Sequence, residues 1–170
     1  MIACVDVDYR EDRDPPQAVA ACVVFDGWAA EAPAEEQVET IDQIAPYVPG
    51  QLYRRELPCL LAVLRRVTRP LEMIVVDGYA VLDARGRPGL GAHLFEALNR
   101  RTPVVGVAKN FFRDSAAIEV HRGDSRRPLY VSATGLDPRV AAAGVARMSG
   151  PHRLPTLLKR VDRLCRDAGR

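Results

Sequence analysis

The sequence predicts an α/β domain built on a mixed sheet, with three antiparallel strands followed by parallel strands, flanked by helices. Three observations predict it. The first 44 residues hold three strand-like runs joined by short polar connections, the pattern of an antiparallel meander. From Glu56 the apolar period lengthens to that of a helix, and helical segments then alternate with short buried runs. The chain has 170 residues, of which 48% are hydrophobic and 27% charged, enough for one ordinary core. A single domain over residues 1–170 is expected, with no internal repeat or dividing linker.

Residues 2–8 (IACVDVD) alternate and then break into EDRDPP, a turn with two prolines. Residues 17–28 (QAVAACVVFDGW) form an almost wholly apolar strand, and QVETIDQI alternates again as a third. APYVPG is a loop, since two prolines and a glycine do not continue a ladder. Leu57, Leu60, Leu61, Val63, Leu64 and Val67 then follow a helical stripe. LEMIVVDG is a buried strand ending in Asp-Gly, GLGAHLFEALNRR a helix, and TPVVGVAK another buried strand. AAIEVHRG and RPLYVSAT form a hairpin around GDSR, and LDPRVAAAGVARM and LPTLLKRVDRLCRDAG close the chain as two helices. This order describes a ribonuclease H-like fold, on which acidic residues at strand ends hold divalent metal against a phosphodiester. That is an analogy of fold, so the site has to be argued from its residues.

Composition excludes several classes. No apolar run reaches the roughly 18 residues of a membrane span, and no basic stretch precedes an apolar one at the N-terminus. A cytoplasmic monomer with no membrane association is expected. The net charge is +2, so there is no global cationic field. Lysine occurs only at Lys109 and Lys159, leaving arginine to supply the remaining positive charge. Arginine suits phosphate through its planar fork, but it also decorates solvated helix faces. The four cysteines show no CxxC spacing, and Cys4 and Cys22 read as buried thiols rather than zinc ligands or disulfides.

Three carboxylates stand in telling places. Alternation puts Asp6 and Asp8 on the face that also holds Cys4, and a carboxylate inside an apolar strand needs a partner or a cation. Asp77 ends a buried strand, where open α/β sheets present functional groups. Glu56 begins the helix after the proline loop. Oxygen ligands of this kind suit Mg²⁺, with Mn²⁺ as a substitute. Each position also has an ordinary reading: Asp77-Gly78 as a strand-ending turn, Glu56 as a favourable first-turn acid, Asp6 paired with a buried arginine. Lys109, after a further apolar strand, tilts the set toward a metal and phosphate site.

The motifs taken together resemble the endonuclease V family. PYVPGQLYRRE (residues 46–56) resembles PYIPGxLxFRE, CVDVDY resembles GVDVSY, VVDGYA the second acidic motif, and VVGVAKN resembles TIGVAK. GLGAH and LYVSATG resemble LGxASH and FVSPGH, all in the same order from Ile2 to about Pro155. The resemblance implies that Asp6, Glu56 and Asp77 hold a catalytic Mg²⁺ and that Lys109 acts at the scissile phosphate. It implies that the PYVPG loop, with Tyr47, Pro49 and Gly50, wedges into the gap left by an extruded base. That base would be hypoxanthine, read by backbone groups near Gly50 and Gly78, in DNA or RNA containing inosine. Cutting would occur at the second phosphodiester on the 3′ side. A proline-stiffened aromatic and a weakly paired base agree with these roles.

The chain also departs from the family pattern. The helical segment that precedes the first strand is expected to be missing. Asp83 stands where a histidine belongs, as a metal ligand, a base or a turn residue. YVSATGLD lacks another histidine, and PTLLKRVD puts Arg160 at the offset of a metal-assisting residue, with Asp162 two positions later. His93 matches a family histidine, near phosphate or simply on the surface. Arg122, Arg126, Arg127, Arg153, Arg160 and Arg163 are placed to flank a duplex or to sit in solvent. The alternative function is a relative with altered substrate, or without catalysis, that binds nucleic acid.

Overall fold

The computed structural model of the chain describes residues 1–168. Its elements follow the predicted order: β1 (Ile2–Arg10), β2 (Gln17–Phe25), β3 (Glu35–Ile41), α1 (Tyr53–Leu64), β4 (Met73–Asp77), α2 (Leu90–Ala97), β5 (Val104–Ala108), β6 (Ile118–Val120), β7 (Leu129–Thr134), α3 (Pro138–Arg147) and α4 (Thr156–Asp167). Several boundaries shift by a few residues, two of them for a plain reason. The third strand begins at Glu35 because Glu35 and Glu36 pair with Val24 and Val23. The first helix starts at Tyr53, as soon as the glycine and prolines of the preceding loop are passed.

The strands form one sheet in the order β3-β2-β1-β4-β5-β7-β6. β1 pairs antiparallel with β2 and parallel with β4, and β5 runs parallel to β4 and antiparallel to β7. Both faces of the sheet are covered, which is why β2 reads as a continuous apolar run rather than an alternating one. One face packs Val5, Ala20, Cys22, Ile74 and Val104 against Cys59, Leu60 and Val63 of α1 and Leu94 of α2. The other packs Cys4, Val19, Val23, Val75, Val107 and Val131 against α3 and α4, through Val145, Leu158 and Val161. Cys4 Sγ lies 3.5 Å from the Leu157 carbonyl, so the face shared by Cys4 and Asp6 looks toward α4.

One glycine sets the path of the chain after β4. A Cβ on Gly106 would stand 2.2 Å from the Ala80 nitrogen and 2.6 Å from the Gly78 oxygen. The segment after β4 therefore lies directly on β5, which only glycine permits. Among the described residues, no helix is long and apolar enough to cross a membrane.

Candidate active site

The parallel register carries the first two carboxylates together. Val5 pairs with Val76, so Asp6 and Asp77, one residue further along each strand, sit side by side at the same level of the sheet. α1 brings Glu56 from one face and α4 brings Asp162 from the other. Asp6, Glu56, Asp77, Lys109 and Asp162 line a common cavity of about 300 Å³. Beneath it, Asp6, Asp77, Lys109 and Asp162 also border a void of about 20 Å³, room for one water.

Charge in this cavity is poorly balanced. Burial first, and the neighbouring Asp77 second, push the Asp6 carboxyl up to about 7, although it accepts the Val7 N–H at 2.9 Å. Burial likewise raises Glu56 to about 7, reinforced by Asp6 and Asp77. Lys109 Nζ donates to Asp77 Oδ2 at 2.6 Å. Burial works against the Lys109 charge, but that bond and the surrounding carboxylates outweigh it and raise its pKa. Asp162 is paired within its helix to Arg166 at 2.8 Å.

This donor set consists of hard carboxylate oxygens around an excess of negative charge, which is the chemistry of a Mg²⁺ or Mn²⁺ site. The side chains as they stand do not close around an ion. Among the described residues, no group of three or more His, Cys, Asp or Glu side chains is arranged to hold one. Lys109 instead supplies the cation beside Asp77.

The proline loop lies ahead of α1, where Pro46 and Tyr47 border a separate cavity with Glu11, Pro15 and Asp42. Tyr47 is 61% exposed, and Val48 and Leu52 are exposed with it, an apolar tip that no core requires. Gly50 and Gly78 hold positive φ, +75° and +117°, with nothing within 4 Å of where a Cβ would stand. The reason for glycine at these two positions is thus backbone conformation rather than close approach. Pro49 is exposed on the same loop.

Two sequence-predicted residues lie elsewhere. Asp83 does not reach the carboxylates. Its Oδ1 accepts the backbone N–H groups of Arg85 (3.0 Å) and Arg87 (3.1 Å), and it pairs with the Arg87 side chain. It is a turn residue, and it borders a different cavity with Ala117 and Ser132. His93 stacks on Tyr53 with ring centroids 3.6 Å apart and planes 9° from parallel, a contact between α1 and α2.

The arginines also sort differently from the duplex-flanking expectation. Arg122 is 7% exposed and donates to the carbonyls of Met148, Ser149, Gly150, His152 and Arg153, gathering the chain beyond α3. Arg153 donates to the carbonyls of Lys109 and Pro128, and Arg160 pairs with Glu36. Arg126, Arg127 and Arg163 remain exposed. The sequence also gave no sign of Arg10, which caps the carbonyls of Cys165, Arg166 and Ala168 at the end of α4. A second unsignalled residue is Tyr79. Its hydroxyl donates to the Asn110 carbonyl and accepts the Phe112 N–H, both at 2.9 Å, tying down the segment that follows Lys109.

Comparison with known proteins bears on the family and the fold. The family model described as Endonuclease V matches residues 1–135. Endonuclease V of Streptomyces avermitilis is 36% identical across 96% of this chain and 78% of its own length. The Streptomyces coelicolor protein is 35% identical over 96% and 77%. The crystal structure of the Streptomyces avermitilis protein aligns with a TM-score of 0.79 at 32% identity, covering 98% of this chain and 80% of that one. Endonuclease V of Ciona intestinalis, solved with a 23mer DNA containing an inosine followed by a ribo-adenosine, aligns with a TM-score of 0.81 at 18% identity, over 98% and 83%. The fold is therefore the ribonuclease H-like one expected from the element order.

Proposed function

The chain belongs to the endonuclease V family, and from that premise we propose that it hydrolyses a phosphodiester beside a deaminated purine, inosine, in DNA or RNA. The cut falls at the second phosphodiester on the 3′ side. The observation that carries this reading is the meeting of Asp6 from the middle of β1, Asp77 and Lys109 from the ends of β4 and β5, and Glu56 from α1 in one cavity.

Asp6, Glu56 and Asp77 would hold Mg²⁺ or Mn²⁺, with Asp162 close by. When bound, that cation offsets charge on the phosphate oxygens. The protein's own groups account for the remaining work. Without a cation, burial and their neighbouring carboxylates hold Asp6 and Glu56 near 7, and a bound cation would favour the charged, ligating form of both. Lys109 offers its ammonium to the phosphate, in exchange for the Asp77 carboxylate it now contacts. Tyr47, Pro49 and Gly50 present a stiff loop that occupies the space of an extruded base, and extrusion costs least where pairing is weak. The main chain at Gly50 and Gly78 is open for close contact with that base.

A non-catalytic or altered-substrate relative is the second reading, favoured by Asp83 lying away from the cavity. One experiment separates them. Labelled single- and double-stranded DNA and RNA, each with one inosine, are incubated with and without Mg²⁺ or Mn²⁺. A metal-dependent nick one nucleotide past the inosine, lost in Asp6→Ala, is expected. Binding without cleavage on every substrate moves the weight to the second reading.

A further inference from the structure

We propose that Phe111 is a second stacking platform for a nucleobase, on the far side of the carboxylate cavity from Tyr47. This rests on the nucleic-acid reading above and adds a residue to it. Phe111 is 63% exposed, as conspicuous as Tyr47 at 61%. Leaving so large an apolar ring in water gains the fold nothing.

Its placement supplies the reason. Phe111 lies two residues beyond Lys109, and its ring leans on Tyr130 with centroids 5.6 Å apart and planes 60° from parallel. Tyr130 pairs with Ala108 in the β5–β7 register, so this aromatic pair stands at the same end of the central strands as Asp77 and Lys109. Tyr47 belongs to the opposite side, where its loop borders Glu11, Pro15 and Asp42. A strand whose scissile phosphate meets Lys109 thus has an exposed aromatic on each flank.

The platform is also pre-ordered. The Tyr79 hydroxyl brackets Phe111 by binding Asn110 O and the Phe112 N–H, each at 2.9 Å. Arg153 holds the Lys109 carbonyl just before it, and the Arg87 guanidinium lies 5.3 Å from the Phe112 ring centroid. A ring fixed by its backbone and backed by a second ring loses little freedom on stacking. Lys109 and Arg87 stand near it, each paired with a carboxylate (Asp77 and Asp83) that the phosphates of a polyanion would displace.

The test uses a 12-nucleotide single-stranded DNA without inosine, in EDTA, read by fluorescence anisotropy so that cleavage plays no part. Phe111→Ala and Phe111→Leu should weaken binding between about fivefold and about a hundredfold, the range of one lost base stack. Phe111→Trp should bind as the native chain does, and its indole emission should be quenched by the DNA. The native tryptophan, Trp28, packs against Gly144 of α3, away from this edge, and gives the baseline. Unchanged melting temperatures show that the variants fold. Equal binding by Phe111→Ala, or an unquenched tryptophan, overturns this proposal while inosine cleavage by the native chain stands. A native chain that binds no nucleic acid removes both. Concentration-dependent dimerisation lost in Phe111→Ala, with DNA binding unchanged, identifies a self-association face instead and also overturns it.

Discussion

Replacing Asp6 with asparagine should make the metal-free protein more stable while abolishing its chemistry. The substitution keeps the side chain's shape and an oxygen to accept the Val7 N–H at 2.9 Å, and it removes one charge from the cavity. Burial, then Asp77, holds the folded Asp6 carboxyl at about 7 against an ordinary 3.8. The folded state therefore binds that proton more tightly than the unfolded chain does. Stability linked to Asp6 is complete below pH ~4, falls as pH rises through the window from ~4 to ~7, and is gone above it. At about 1.36 kcal/mol per pH unit the whole gap corresponds to about 4 kcal/mol. Glu56 is raised by the same cavity and titrates together with Asp6, so about half of this, about 2 kcal/mol, belongs to Asp6 alone. For a chain of this size that raises the melting temperature by about 4–8 °C at pH 8, and by close to nothing at pH 4. Thermal melts followed by circular dichroism in EDTA measure it. Adding Mn²⁺ should then stabilise the native chain by about 2.7 kcal/mol at a hundred times its Kd and leave Asp6→Asn unmoved. Should Asp6→Asn melt at or below the native temperature at pH 8 without metal, the carboxylates do not repel one another and the argument for a cation site fails.

Three further outcomes follow from contacts outside the carboxylates. Tyr79→Phe removes two hydrogen bonds of about 1 kcal/mol each, loosening the segment after Lys109. Cleavage should drop about tenfold when assayed well below a melting temperature itself lowered by about 4–8 °C; an unaltered kcat/KM would show that the clamp does not position Lys109. Arg122→Met strands the carbonyls that its guanidinium gathers, and about 3 kcal/mol should be lost after allowing for the relieved burial of charge, seen as an earlier urea midpoint. A midpoint equal to the native one contradicts that account. Gly106→Ala forces a Cβ to within 2.2 Å of the Ala80 nitrogen, and backbone cannot yield cheaply, so about 3 kcal/mol or more should be lost together with Mn²⁺ binding. A native-like melt would mean that the segment after Asp77 is free to shift.

Local chemistry made the elements legible in the sequence. Strand and helix periods, the prolines of the 45–50 loop and the Asp-Gly ending β4 act over a few residues, and each is written where it acts. The same holds for Asp6 and Asp77, because a carboxylate in or after a buried strand announces itself by its neighbours. Glu56 and Lys109 were legible through motif order, and the structure brings all four to one cavity. What the tertiary structure alone decided concerns groups whose partners are remote in the chain. Asp83 occupies a motif position, yet its turn folds the carboxylate onto its own amides. Asp162 reaches the cavity only because α4 packs its apolar face on β1 and β2. Arg10, Arg122 and Arg153 look like any solvated arginine in sequence. Their burial depends on where helix ends and loops leave carbonyls without partners, and that is settled only when the layers close on the sheet.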